Sequence, residues 1–263
     1  MTLLIYFIAY LAIGALSGVI GGLLGIGGGS ITVPALLLVF SFSNFPKESI
    51  MQLAVGTSLA SMVINTFSSL YFHNKKQGIS WPTIKKMLPS VVAGSVLGAL
   101  LARHLSSSFL ESIFGFFACG IGLYLAKPLK ISTKEHKTPG IKTFSTIGAG
   151  VSTLSSILGV GGGIFLFPLL TYYGFETKKA IGTSVTISFF IALFGAISYL
   201  TKDLVFENWC LGYVYLPAFF IIGVSSFFSA AYGTKLAHSM ESKTLRKIFS
   251  ASLIIVGLLM IFS

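Results

Sequence analysis

Long apolar runs alternate with short polar stretches along the chain, and the runs are too long and too free of charge for a soluble core. Residues 50–72, 87–104, 108–126, 179–200, 209–233 and 247–262 each predict a transmembrane helix, since a bilayer core takes about 20 apolar residues in helical form. Two further apolar regions are interrupted by glycine and predict broken elements, 2–24 with 30–43 and 143–158 with 164–174. At about 1.5 Å per residue, the arms 30–43 and 164–174 fall short of a ~30 Å hydrocarbon core. The expected fold is an all-α polytopic membrane protein with roughly eight to ten membrane segments. No lysine or arginine precedes residues 2–24, so they read as a retained first segment and not as a cleaved signal.

The two broken elements carry one motif. Residues 25–36 read Gly-Ile-Gly-Gly-Gly-Ser-Ile-Thr-Val-Pro-Ala-Leu, and residues 159–170 read Gly-Val-Gly-Gly-Gly-Ile-Phe-Leu-Phe-Pro-Leu-Leu. Ala54-Val55-Gly56-Thr57-Ser58 is answered by Ala180-Ile181-Gly182-Thr183-Ser184, and Leu88-Pro89 by Leu216-Pro217. Landmarks that recur in one order mark a duplication. The expected organisation is a first transmembrane repeat over 1–127, a basic linker over 128–142 with Pro139 and Gly140, and a second repeat over 143–263.

The charges decide how the repeats are oriented. If each broken element crosses once, the halves run parallel and the basic residues divide ten to eight between the two faces. If each goes in and returns, the halves are inverted. Fifteen basic residues then share one face, and Lys47, Arg103 and Lys202 lie on the other. The second arrangement obeys the positive-inside rule, so inverted repeats are expected, each a glycine-broken hairpin plus three helices. The linker 127–142 is then cytoplasmic, the location is the inner (plasma) membrane, and both chain ends lie outside.

Only 10% of residues are charged, against about 25% in a soluble domain. The net charge of +11 fits a basic membrane face. Nucleic-acid binding is not expected, because basic and aromatic residues do not interleave. Cys119 and Cys210 sit in apolar runs with no CxxC spacing, so they read as small buried residues. Neither a metal site nor a cofactor is expected.

The candidate chemistry lies at the glycine runs. Gly25, Gly27, Gly28 and Gly29 in one half, and Gly159, Gly161, Gly162 and Gly163 in the other, permit left-handed angles and close approach. A helix broken within a membrane leaves amide N–H groups that need protein, water or a ligand. Such groups form an anion-binding concavity, helped by the positive end of the helix that follows. Pro34 and Pro168 mark each break, and Ser30 and Thr32 are expected to cap the first returning helix. Gly56, Thr57, Ser58, Gly182, Thr183 and Ser184 supply further backbone and hydroxyl candidates. Asn65 shares the face of Ser58, and Ile191 occupies the matched position in the second half. Glycines 94 and 98 with Ala102 read as helix packing. All seven acidic residues are expected in polar stretches outside the spans, which excludes an intramembrane carboxylate relay and favours an anionic or neutral solute.

The doubled glycine–proline motif and the paired Gly-Thr-Ser residues resemble the TauE/SafE family of sulfite and sulfonate exporters, over nearly the whole chain. The resemblance implies a permease for sulfur-containing anions, with the matched glycine runs and Gly-Thr-Ser pairs as its substrate site. The expected partners are a small anionic substrate and the bilayer, with homo-oligomerisation left open. Two other readings stand beside a permease: a transport-inactive scaffold, and an intramembrane enzyme, which the lack of a mid-span histidine or aspartate disfavours.

Overall fold

The computed structural model describes residues 2–24, 27–43, 45–75, 77–126, 140–201, 206–207, 209–237 and 242–262. Gly25, Lys202 and most of the linker lie outside them. Ten helices make up nearly all of the described chain: α1 (Thr2–Leu24), α2 (Gly29–Ser41), α3 (Ile50–Lys75), α4 (Trp81–Arg103), α5 (Ser107–Ala126), α6 (Ile141–Leu158), α7 (Gly163–Tyr172), α8 (Thr177–Leu200), α9 (Leu216–Ala237) and α10 (Ser242–Phe262). Six of them, α1, α3, α4, α5, α8 and α9, are long and apolar enough to cross a membrane. Exposed Leu3, Phe116 and Phe228 are among the side chains suited to lipid contact. As expected, α2 and α7 are short, at 13 and 10 residues.

Three expectations need correction. The span predicted from residue 209 begins as helix only at Leu216. Before it, Phe206–Glu207, Cys210–Leu211 and Val214–Tyr215 form a small antiparallel sheet, turned by Trp209 (φ 64°) and Gly212 (φ 57°). The span predicted from residue 87 already begins at Trp81, because Pro82 suits the first turn of a helix. Pro89 therefore lies inside α4, and Trp81-Pro82, not Leu88-Pro89, is the counterpart of Leu216-Pro217. Glu111 lies within the early turns of α5 and not in a polar stretch.

Both broken elements are hairpins. The Tyr6 hydroxyl, near the start of α1, donates to the carbonyl of Phe42, just past the end of α2 (3.1 Å). In the second half, the ring of Phe144 at the start of α6 packs against Tyr173 at the end of α7, with centroids 6.4 Å apart. Each short helix thus returns to the level from which its partner set out.

Equivalent helices of the two halves cross antiparallel. Along α3 and α8, Phe67 meets Phe189 (6.0 Å), while Leu59 meets Gly195. Along α5 and α10, Gly115 faces Ile261 and Gly122 faces Ile254. Duplicated helices that run opposite ways mean that the halves are inverted, as the charges require. The loop after α3 adds a direct check: a Cβ at Gly78 would lie 3.6 Å from the Lys178 carbonyl. The basic 73–86 and 178–179 stretches therefore share a face. The parallel arrangement would have separated them.

The halves also interlock. Gly14, Gly18 and Gly22 of α1 lie against Ile222, Ser226 and Ala230 of α9, and Gly233 returns the contact at Val19. Gly94 and Gly98 of α4 lie against Ser152 and Thr153 of α6 in the same manner. A Cβ at Gly22 would sit 2.3 Å from the Ala230 carbonyl oxygen, so small residues set the helix spacing. In each case a helix of one half is seated on the other half, and α3 and α8 occupy the centre.

Candidate functional site

The two breaks meet between α3 and α8. A Cβ at Gly29 would lie 2.4 Å from the Gly159 carbonyl oxygen and 3.0 Å from the Val160 Cα, and one at Gly27 would lie 3.8 Å from the Gly161 Cα. Gly27 (φ 81°) and Gly28 (φ 77°) are left-handed, as is Gly159 (φ 67°), which ends α6. The Val160 amide turns back to the Ser155 carbonyl (3.0 Å) and completes that cap.

The central helices hold the breaks by their carbonyls. Ser58 donates to the Gly159 carbonyl (3.0 Å), and Asn65 Nδ2 donates to the Gly27 carbonyl (3.4 Å). The position matching Asn65, Ile191, places its Cδ1 where a Cβ on Gly162 would be (2.5 Å). The position matching Gly159 is Gly25, outside the described residues, so the partner of Ser184 by symmetry is not defined. Among the described residues, the buried Ser184 hydroxyl has no partner.

The Gly-Thr pairs have a well-defined structural use. The Thr57 hydroxyl oxygen accepts the Tyr215 N–H (3.0 Å), and the Thr183 oxygen accepts the Ser80 N–H (2.9 Å). Tyr215 and Ser80 immediately precede α9 and α4. A Cβ at Gly56 would lie 2.3 Å from the Tyr213 carbonyl oxygen, and one at Gly182 would lie 2.1 Å from that of Gly78. Each pair therefore lets the chain pass closely and fixes the start of the following helix, α9 on the first-half pair and α4 on the second-half pair.

The starts of α2 and α7 are open. Neither has a side-chain cap: their N-cap residues are Gly28 and Gly162. Contrary to expectation, Ser30 and Thr32 do not cap α2. Thr32 bonds back to the Gly28 carbonyl (3.1 Å), and Ser30 Oγ is unpartnered. In the second half, the Gly162 carbonyl accepts from Phe165 and Leu166, but the amides of Gly161, Gly162, Gly163 and Ile164 find no acceptor among the described residues. Pro34 and Pro168 lie inside α2 and α7 at the same distance from their helix starts, and each removes a helical N–H.

Four buried hydroxyls, those of Ser30, Ser155, Ser156 and Ser184, lack partners. Ser155 and Ser156 escaped the sequence reading, although a serine pair one turn before a glycine run in an apolar helix was a visible signal. Ser156 also anchors the neighbourhood through its backbone, where the Tyr199 hydroxyl donates to its carbonyl (3.3 Å). Apart from Tyr10, Tyr199 and Tyr213, every buried polar side chain among the described residues is Ser, Thr, Asn or Gln. No His, Cys, Asp and Glu group suited to a metal ion occurs among them.

The profile described as sulfite exporter TauE/SafE matches residues 10–260. A probable membrane transporter protein of Haemophilus influenzae is 32% identical over 255 residues, spanning 94% of this chain and 95% of its own. Another, from Methanocaldococcus jannaschii, is 31% identical over 250 residues, spanning 95% of this chain and 93% of its own. A third, from Bacillus subtilis, is 25% identical over 279 residues and spans 97% of each. No solved structure matches.

Proposed function

Because the chain belongs to the TauE/SafE sulfite exporter family of multi-pass membrane transporters, we propose that it moves a small anion, a sulfur oxyanion or organosulfonate, through the meeting point of the two breaks. The run of amides from Gly161 to Ile164 carries this reading. A buried N–H left without an acceptor costs about 1–3 kcal/mol, so consecutive ones call for a partner rich in oxygen. An anion supplies it, and the positive ends of α2 and α7 favour the same charge.

Inverted repeats give the site a route to either side. Because the halves interlock, it is the bundle of α1, α2 and α9 that rocks against the bundle of α4, α6 and α7, exchanging an inward-open for an outward-open arrangement about a fixed centre. The substrate contacts in this reading are the backbone of Gly27–Gly29 and Gly161–Gly163 with the hydroxyls of Ser30, Ser155, Ser156 and Ser184. Ser58 and Asn65 hold that backbone in place, while Gly56, Thr57, Gly182 and Thr183 fix the starts of α9 and α4 around it. The basic face carrying Lys75, Lys85, Lys178 and Lys179 is cytoplasmic, in a plasma membrane.

Purified protein in liposomes is expected to take up sulfite or methanesulfonate faster than protein-free liposomes. The double variant S155A/S156A should lose most of that flux while remaining folded in detergent. Uptake no faster than in protein-free liposomes for every sulfur anion tried would remove the permease reading. Undiminished flux in the double variant would move the site away from these hydroxyls.

A further inference from the structure

We infer that Met62 sets how large an organic group the transported anion can carry, so that compact sulfur anions pass and longer sulfonates are held back. This rests on the permease reading and specifies its substrate further.

Met62 lies on α3 between the two side chains that hold the breaks. Ser58, Met62 and Asn65 follow one another four and three residues apart, the spacing of a single helix face. Ser58 grips the Gly159 carbonyl and Asn65 the Gly27 carbonyl, so the thioether between them is aimed at the seam where the breaks meet. Its contacts agree. A Cβ at Gly27 would overlap Met62 Cε, and one at Gly29 would lie 2.7 Å from Met62 Sδ. The same point at Gly27 is 3.8 Å from the Gly161 Cα, where the run of amides to Ile164 begins. The methyl end of Met62 therefore abuts that run.

This is not the placement of a core residue. Met62 is 2% exposed, yet it belongs to none of the three hydrophobic clusters among the described residues, whereas the likewise buried Met51 and Met87 do. It faces glycine backbone instead. Nor does the duplicated geometry require its bulk. The matched position on α8 is Ser188, whose hydroxyl turns back to the Ser184 carbonyl of its own helix (2.9 Å). At this register α3 presents a long side chain to the seam and α8 a short one. A thioether donates no hydrogen bond and accepts only weakly, so it suits an alkyl group better than sulfonate oxygens. With the anionic head on the amides, the group attached to sulfur is the part that meets Met62. The unbranched side chain can yield to a methyl group. A chain of several carbons needs the space that Met62 itself fills.

The test measures methanesulfonate and 1-butanesulfonate uptake by liposomes holding the full chain. The two fluxes are compared as a ratio within one preparation, so that differences in the amount of folded protein cancel. The parent is expected to carry methanesulfonate at least about tenfold faster. M62A removes about three heavy atoms from the seam, the length that separates the two sulfonates, and should bring the rates within about threefold of each other. M62L, close to methionine in volume, should keep the parental ratio. If M62A carries neither sulfonate, M62V decides by the same ratio, which should fall at least about threefold. Equal rates for the two sulfonates in the parent overturn this inference alone, as does an unchanged ratio in the shortened variant. If the parent carries neither sulfonate nor sulfite, the permease reading falls and this inference with it.

Discussion

At the first break, Gly27 and Gly28 are both left-handed, and Asn65 reaches the Gly27 carbonyl. At the second, Gly159 supplies the left-handed turn, Gly162 has ordinary helical angles (φ −60°), and Ile191 stands where Asn65 would be. Identical letters therefore meet different needs. Gly28 is required by its backbone angle and by the Ser17 carbonyl oxygen, which would lie 2.5 Å from a Cβ. Gly162 is required by neither, since the atom in its way is the end of a flexible isoleucine. The motif recurs, but the two copies are held differently: two left-handed glycines with Asn65 on the Gly27 carbonyl in one half, and a left-handed Gly159 with Ser58 on its carbonyl in the other.

The largest expected effect tests that contrast at Gly28. G28A forces a side chain into left-handed backbone against a carbonyl, at a cost on the order of 3 kcal/mol. Thermal unfolding in detergent should show the loss, and anion flux should fall more than about tenfold if the strain is taken up at the site.

Next come T57V and T183V, which each leave a part-buried N–H without its acceptor. Each should lower stability by about 1–3 kcal/mol, and by the same amount in the two halves. Unequal losses would show that the symmetry of these joints is only geometric.

Asn65→Leu removes one long hydrogen bond from the Gly27 carbonyl. It should cost about 1 kcal/mol and slow transport a few-fold. The smallest change is expected for G162A, within about 1 kcal/mol of the parent because Ile191 can shift. If G162A proves as damaging as G28A, the distinction between the breaks is wrong.

Much of this architecture was legible in the apolar runs and the basic residues. The inversion of the halves followed from Lys75, Lys85, Lys178 and Lys179, because membrane insertion writes orientation into charge. The return of each broken element followed from the same charges, whereas the shortness of 30–43 and 164–174 alone left a full crossing and a re-entrant arm both open. The small sheet before α9 did not, since 209–215 is apolar enough to extend the helix and only Gly212 hinted at a turn. The work of Gly56-Thr57 and Gly182-Thr183 was likewise hidden. Their partners, Tyr213 with Tyr215 and Gly78 with Ser80, are distant in sequence, and no local pattern announces such a contact. Ser155 and Ser156 gained meaning only when their hydroxyls, like those of Ser30 and Ser184, were found buried without a partner.

The seating of α1 on α9 governs how such a chain must be made. Helix α1 reaches the bilayer well before the ribosome supplies α9, the surface it matches. Until then its glycine stripe faces lipid, or a provisional neighbour that must later be displaced. Truncation anywhere before residue 216 should consequently leave the opening segment without its mate, and assembly is bound to be a late, concerted closing of two incomplete halves.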